Sequence, residues 1–168
     1  MGNLENSLPE YLFFTKLDRL INWARINSLN YIGLDLACCG VEMRHTESSR
    51  FDIERFGSAP SFSPRHADLM IVAGTVTHKS APIIKRLYDQ MPFPKYVLAM
   101  GSCANSGGPF SWELSYSAVS GVDKIIPVDV FVPGCPPRPE AVLHGLVSLQ
   151  KKIYSKNVLV EGTEDIKV

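Results

Sequence analysis

The sequence has no excess of either charge and no apolar run long enough to cross a membrane. Lys and Arg together number 17, as do Asp and Glu, so no global field favours binding to nucleic acid or anionic lipid. The longest apolar runs, such as residues 68–74, are far shorter than the roughly 20 residues that a transmembrane helix needs. The N-terminus also lacks the apolar core of a signal peptide. Together these absences predict a reducing, cytosol-like compartment, where cysteines are ligands or catalysts more often than disulfide partners.

Motifs for nucleotide binding and hydrolysis are also missing. No Gly-x-Gly-x-x-Gly pattern occurs, so we expect no flavin or nicotinamide site on this chain. Residues 74–80 resemble a phosphate loop, but they lack its second glycine and are one residue short of the pattern. We interpret them as a strand-to-helix turn with Thr77 at the N-cap. Serine, histidine and acidic residues are too scattered to predict a hydrolytic triad.

Cysteine is scarce, and each of its four occurrences lies where a predicted strand gives way to a turn. Four thiolates at one point suit zinc or an iron–sulfur cluster. Zinc sites usually contain Cys-x2–4-Cys knuckles, which are absent, and adjacent cysteines would strain a tetrahedral zinc. A vicinal disulfide is a third possibility, although it would leave two cysteines without a role. A Rieske cluster needs paired histidines, and the four histidines show no paired spacing with the cysteines. The cysteines are Cys38, Cys39, Cys103 and Cys135, and the histidines are His45, His66, His78 and His144.

The hydrophobic pattern predicts strands that alternate with helices. This order is typical of a parallel α/β sheet with right-handed crossovers, and such sheets bind ligands at the carboxyl ends of their strands. All four cysteines fall at predicted carboxyl ends, so topology and chemistry agree. The predicted strands are 31–37, 68–73, 95–100 and 125–132, with Pro127 favouring an edge position for the last one. The predicted helices are 41–56, 80–91 and 140–154, and 101–109 is predicted to be a glycine-rich loop.

We divide the chain into four segments. Residues 1–8 are a flexible N-terminus, 9–30 a helix, 31–154 the cysteine-binding α/β domain, and 155–168 a C-terminal tail. The 9–30 helix either packs on its own domain or docks on a partner or membrane surface. Its aromatic residues, which include Trp23, favour docking.

Several charged residues follow the cysteine pair. They are either a solvated surface or compensation for a buried negative group. An oxidised cubane with four thiolates carries a net charge of 2 − 4 = −2, and nearby arginines would raise its reduction potential. The charged residues are Glu42, Arg44, Arg50, Asp52, Arg55 and Arg65.

Four blocks of sequence resemble the B subunit of NADH-quinone oxidoreductase, the component of respiratory complex I that is called PSST in mitochondria. The resemblance spans about 14–153. The blocks are Gly-Leu-Asp-Leu-Ala-Cys-Cys-Gly-Val-Glu-Met (33–43), Ser-Pro-Arg-His-Ala-Asp (63–68), Gly-Ser-Cys-Ala-Asn-Ser-Gly-Gly (101–108) and Val-Pro-Gly-Cys-Pro-Pro-Arg-Pro-Glu (132–140).

The resemblance implies one [4Fe–4S] cluster, the terminal cluster N2, which passes electrons to quinone. The family's ligands match Cys38, Cys39, Cys103 and Cys135. It also implies a flavodoxin-like parallel sheet of about four strands flanked by helices, similar to the small subunit of nickel–iron hydrogenases. Those hydrogenase subunits typically have Cys-x-x-Cys where this chain has Cys-Cys, so the resemblance favours the complex I branch over a hydrogenase-type small subunit. A zinc-stabilised scaffold is the alternative from another class.

By the same resemblance, the chain is a peripheral-arm subunit of a proton-pumping translocase and has no catalytic residue or NADH site of its own. Quinone would bind against the D (49-kDa) subunit, with Val41, Met43 and Arg65 as quinone-proximal candidates on this chain. Many members have methionine where Arg44 stands. The other implied partners are the 8Fe ferredoxin-like I subunit and the membrane H subunit, and no nucleic acid. The implied location is the cytoplasmic face of the bacterial inner membrane, or the matrix face in an organelle, as a peripheral membrane protein.

Overall fold

The computed structural model describes residues 8–110 and 115–155, with side chains from residue 17 onward. Five parallel strands form one sheet in the order β2-β1-β3-β4-β5, which is the flavodoxin-like order. The predicted parallel α/β fold is confirmed. The strands are β1 (Leu29–Asp35), β2 (Ser58–Pro60), β3 (Leu69–Ala73), β4 (Tyr96–Met100) and β5 (Val130–Val132). The helices are α1 (Leu8–Ile26), α2 (Cys38–Glu47), α3 (Ala81–Gln90), α4 (Ser102–Ser106) and α5 (Pro139–Ser155).

The two central strands, β3 and β4, are buried along their whole length because helices cover both faces of the sheet. One core cluster lies between the sheet and helices α2 and α5. The other lies between the opposite face and helices α3 and α4. In the register, Asp35 lies beside Ala73, and Ala73 lies beside Met100. The carboxyl ends of β1, β3 and β4 therefore lie side by side at one edge of the sheet.

The structure corrects several predicted boundaries. The described residues contain five strands where about four were predicted, because the three-residue strand β2 was missed. The last predicted strand, 125–132, is a strand only over Val130–Val132. Pro127 lacks the N–H that a strand needs for its ladder, and this residue lies outside β5, which is an edge strand as predicted.

One predicted helix and one predicted loop also need correction. The helix predicted over 41–56 begins earlier, at Cys38, and ends at Glu47, before a separate 3-10 turn at Ile53–Phe56. Asp52 has a left-handed backbone (φ 48°), which a continuous helix cannot contain. The predicted loop 101–109 contains the short helix α4.

Helix α1 occupies much of the predicted helical segment 9–30, but it ends at Ile26 and β1 begins at Leu29. It packs against α5. Its orientation is unusual, because Asp18 and Asn22 are buried whereas Leu20 and Trp23 are 61% and 58% exposed.

No helix among the described residues is long and apolar enough to cross a membrane. Of the predicted flexible N-terminus, residues 1–7 lie outside the described residues, and Leu8 already belongs to α1. The predicted C-terminal tail begins at Ser155, the last residue of α5, and its remainder also lies outside them.

Candidate metal centre

Cys38 and Cys39 are the first two residues of α2, immediately beyond the carboxyl end of β1. The first turn of this helix contains no acidic residue, and its free backbone N–H groups give the N-terminus a partial positive charge. Cys39 is buried, with 2% of its surface exposed, whereas Cys38 is exposed. The pair therefore has one buried and one exposed residue, in a location that favours negative charge.

Two glycines bring the neighbouring loops close to this pair. Gly101, directly after β4, has φ +90°, and a Cβ atom there would lie 2.5 Å from Sγ of Cys39. Gly74, directly after β3, has φ +115°, and its Cβ atom would lie 2.7 Å from the backbone N of Ala37. Only glycine adopts these conformations easily, and only the missing side chain leaves room for the cysteine pair.

Hydrogen bonds join the loop that carries Cys103 to the loop that carries Cys135. The backbone N and the Oγ of Ser102 both donate to the carbonyl of Gly134, at 2.8 and 3.0 Å. The side-chain amide of Asn105 donates to the carbonyl of Val132 at 3.1 Å. Cys103 is buried and Cys135 is exposed, and neither forms a disulfide. The four cysteines thus lie on three segments at one edge of the sheet: the start of α2, the short helix α4 and the turn after β5.

Burial and the other three cysteines both affect the pKa of the Cys39 thiol. Burial, above all, raises the pKa of the Cys39 thiol to about 11, and the nearby thiols of Cys38, Cys103 and Cys135 add to this rise. Without a metal, Cys39 is therefore a neutral thiol at physiological pH, and a bound metal would hold it deprotonated.

Within residues 8–110 and 115–155, no group of three or more His, Cys, Asp or Glu side chains is arranged so that it could hold a metal ion. The thiols of Cys38, Cys103 and Cys135 nevertheless all contribute to the raised pKa of Cys39. A [4Fe–4S] cubane does not require its ligands to converge on one ion, since each sulfur binds a different iron. The donor set of four cysteines fits such a cluster, and Gly101 lets the chain pass close to Sγ of Cys39.

A charged network that the sequence did not reveal lies next to the pair. Arg44 donates through Nε and Nη2 to Oδ2 of Asp35, at 2.8 and 2.5 Å. Its Nη1 donates to Oε2 of Glu47 at 2.8 Å, and the hydroxyl of Tyr31 donates to Oε1 of the same carboxylate at 2.8 Å. The hydrogen bonds to Asp35 and then to Glu47 raise the pKa of Arg44. Burial and the bond to Glu47 raise the pKa of the Tyr31 phenol, which stays protonated.

Other positions singled out from the sequence are spread around this edge. Val41 is 74% exposed and Arg65 is exposed, but Met43 is 1% exposed and packs in the core against Gly33. Among the other arginines, Arg50 and Arg55 lie over the rings of the phenylalanines that follow them.

The remaining predictions concern polar residues away from the cysteines. His45 contacts Glu42, with 3.3 Å between Nδ1 and Oε1. The turn 74–80 does lead from a strand into a helix, but the N-cap of α3 is Ser80 and not Thr77. Thr77 instead accepts a hydrogen bond from the backbone N of Ser80 and donates its own N–H to Ser80 Oγ.

Comparison with known proteins assigns the chain to a family. Residues 37–149, which include all four cysteines, match the family described as NADH ubiquinone oxidoreductase, 20 Kd subunit. The chain belongs to this family. The family resemblance drawn from the four sequence blocks is thereby confirmed.

Members of this family resemble the chain along nearly its whole length. The B subunit of NADH-quinone oxidoreductase from Pelodictyon phaeoclathratiforme is 51% identical over 99% of this chain and 88% of its own. The corresponding B subunit from Chlorobium limicola is 50% identical over the same shares. Among solved structures, a chain of the membrane-bound sulfane sulfur reductase, an archaeal respiratory membrane complex, is 42% identical, with a TM-score of 0.78 over 88% of this chain and 83% of that one.

Proposed function

We propose that this chain carries a single [4Fe–4S] cluster, the terminal cluster N2, and delivers electrons from it to quinone as a subunit of an NADH-quinone oxidoreductase. The observation that supports this most strongly is that the four cysteines follow the carboxyl ends of β1, β4 and β5, three strands of one parallel sheet. The names of relatives that are about half identical to the chain supply the enzyme class.

The cluster, when bound, supplies one-electron transfer, and the chain's own residues supply its surroundings. Cys38, Cys39, Cys103 and Cys135 would be its ligands. The N-terminus of α2 offsets part of its negative charge. Gly101 lets the backbone approach Sγ of Cys39 closely, and the buried thiols of Cys39 and Cys103 keep one side of the site away from water.

The exposed side of the site, which includes Cys38 and Cys135, is where we place the contact with quinone and the D (49-kDa) subunit. Val41 and Arg65 lie exposed on segments of this chain that could line a quinone cavity. Met43 is buried within the chain, so it would support the wall from beneath. A photoaffinity analogue of quinone should label the segments around Val41 and Arg65 in the assembled complex. Labelling confined to other subunits would contradict this part of the proposal.

Helix α1 is the proposed docking element for the remaining partners. It buries polar side chains and exposes Leu20 and Trp23, which is the reverse of a helix whose apolar face is satisfied within its own domain. The proposed partners are the membrane H subunit and the 8Fe ferredoxin-like I subunit, with the complex on the cytoplasmic face of the membrane. Trp23→Ala should weaken assembly, whereas Arg19→Ala, at another exposed position of the helix, should not. Equal assembly of both variants would argue against a docking role.

We further propose that the whole complex is a proton-translocating oxidoreductase and that its NADH site lies on another subunit. A purified lone chain should therefore not oxidise NADH. NADH oxidation by the isolated chain would overturn this assignment.

Iron and sulfide analysis, together with EPR, tests whether the cluster is present. Complex purified anaerobically should contain, for this chain, about four irons and four sulfides, with a reduced-cubane EPR signal after dithionite. Cys38→Ala or Cys135→Ala should abolish that signal, while Ser106→Ala, an exposed change in the Cys103 loop, should retain it. One zinc and no sulfide at this site would replace the proposal with a structural scaffold.

A further inference from the structure

Asp35, Arg44 and Glu47 form a charged unit beside the cysteine pair that the proposed electron transfer does not use. One guanidinium bridges two carboxylates with three hydrogen bonds of 2.5 to 2.8 Å. The unit carries 1 − 2 = −1 overall. The hydroxyl of Tyr31, a buried residue, holds the second oxygen of Glu47, which fixes that carboxylate in place.

Two members of the unit lie close to the cysteine pair in the sequence: Asp35 precedes the pair and Arg44 follows it. Asp35 ends β1 and precedes Cys38 by three residues, a separation of at most roughly 11 Å. Gly40, which follows Cys39, packs directly on Asp35, since a Cβ atom at Gly40 would lie 2.7 Å from Cβ of Asp35. Arg44 lies five residues beyond Cys39 on the same helix, a rise of about 7.5 Å. These separations are comparable to the Debye length of about 10 Å at 0.1 M salt, so the charges act on the site with limited screening.

We propose that this unit sets the reduction potential of the metal centre on the cysteines, with Arg44 as the cation that limits the local negative charge. The inference rests on the proposed function, because it needs a redox centre at Cys38 and Cys39. Added negative charge near the centre disfavours the uptake of an electron and lowers its potential. From the sequence, the arginines after the cysteine pair were either a solvated surface or cations that would raise the potential. In the structure the charge of Arg44 is more than balanced by two carboxylates.

The experiment is an EPR-monitored redox titration of the assembled complex, with the unmodified chain and four variants. Arg44→Met leaves a charge of −2 and should lower the midpoint potential, whereas Asp35→Asn leaves 0 and should raise it. The double variant D35N/R44M returns the charge to −1 and should restore a potential near that of the unmodified chain. Arg86→Met, which removes an exposed arginine on α3, is the matched control and should cause no shift. Both single shifts should shrink as the salt concentration rises.

The outcomes separate this inference from the proposed function. If iron and sulfide are absent from the unmodified chain, the proposed function fails. If the cluster is present but R44M and D35N shift the potential in the same direction, or not at all, the unit acts only structurally and the inference is wrong. Where D35N does not assemble, Glu47→Gln makes the same change in charge and should also raise the potential. A fall in potential in that variant would contradict the inference.

Discussion

The two ends of the sheet differ in the polar groups they contain. At the amino end, charged and amide groups are satisfied within the chain. Asp129 accepts hydrogen bonds from Lys152 and from the backbone of Val97, and Gln150 donates to two carbonyls from separate segments. At the carboxyl end, four cysteines follow the ends of β1, β4 and β5, and none of them forms a disulfide. The comparison indicates that the polar groups at the amino end stabilise the fold, while the thiols at the carboxyl end remain available as ligands.

The largest effect is expected at Gly101, and we compare it with Gly57, a second glycine with a positive φ. Gly101→Ala would place a methyl group 2.5 Å from Sγ of Cys39 in a left-handed backbone, so we expect loss of most of the bound iron. Gly57→Ala, before β2 at the amino end, is the matched control, because it has φ +77° and a similar clash with Asn27. Each change should also destabilise the fold, by roughly 1–3 kcal/mol. Iron analysis of folded protein separates them, and equal iron in both variants would contradict a cysteine site built around Gly101.

A smaller effect is expected from Asp129→Ala at the amino end. It removes an acceptor for the N–H of Val97 and for Lys152, so the free energy of unfolding should fall by about 1–3 kcal/mol. Chemical denaturation measures this loss. The EPR spectrum of the reduced complex should not change, and a changed spectrum would show that the two ends are coupled.

The smallest effect is expected from Ser102→Ala, which removes one of the hydrogen bonds between the Cys103 and Cys135 loops. The backbone N of Ser102 still reaches Gly134, so stability should fall by only about 0.5–1.5 kcal/mol. The EPR line shape should shift slightly, because the geometry of two ligands relaxes. Ser155→Ala, which removes an exposed hydrogen bond at the end of α5, should leave the line shape unaltered.

Much of the fold could be predicted because its signals are local. The apolar runs that become β3 and β4 are buried along their full length, and the cysteines follow strands directly in the sequence. Strand β2 was missed because three residues ending in a proline carry too little periodicity. Helix α4 was missed because its five residues are flanked by glycines, a composition typical of loops.

The geometry of the site was harder to predict from the sequence than the fold, since it depends on contacts between residues that are far apart along the chain. The sequence identified Arg44 but not its partner Asp35, because Asp35 lies on strand β1 and Arg44 on helix α2. The sequence signal that could have revealed this partner is Asp35 itself, a lone charged residue in a mostly apolar strand. Glu47 lies three residues after Arg44 on the same helix, so that pair was open to prediction and was missed. The closeness of Gly101 to Cys39 joins positions 62 residues apart, and no sequence pattern predicts a clearance of that kind.

The central claim, that the four cysteines hold a centre that passes electrons to quinone, is tested most directly by freeze-quench EPR. The assembled complex is reduced anaerobically, mixed with quinone, and frozen at intervals within the turnover time. The account predicts that the signal lost in Cys135→Ala disappears from the unmodified complex as quickly as quinol forms. A signal that persists through many turnovers would show that electrons reach quinone by another route.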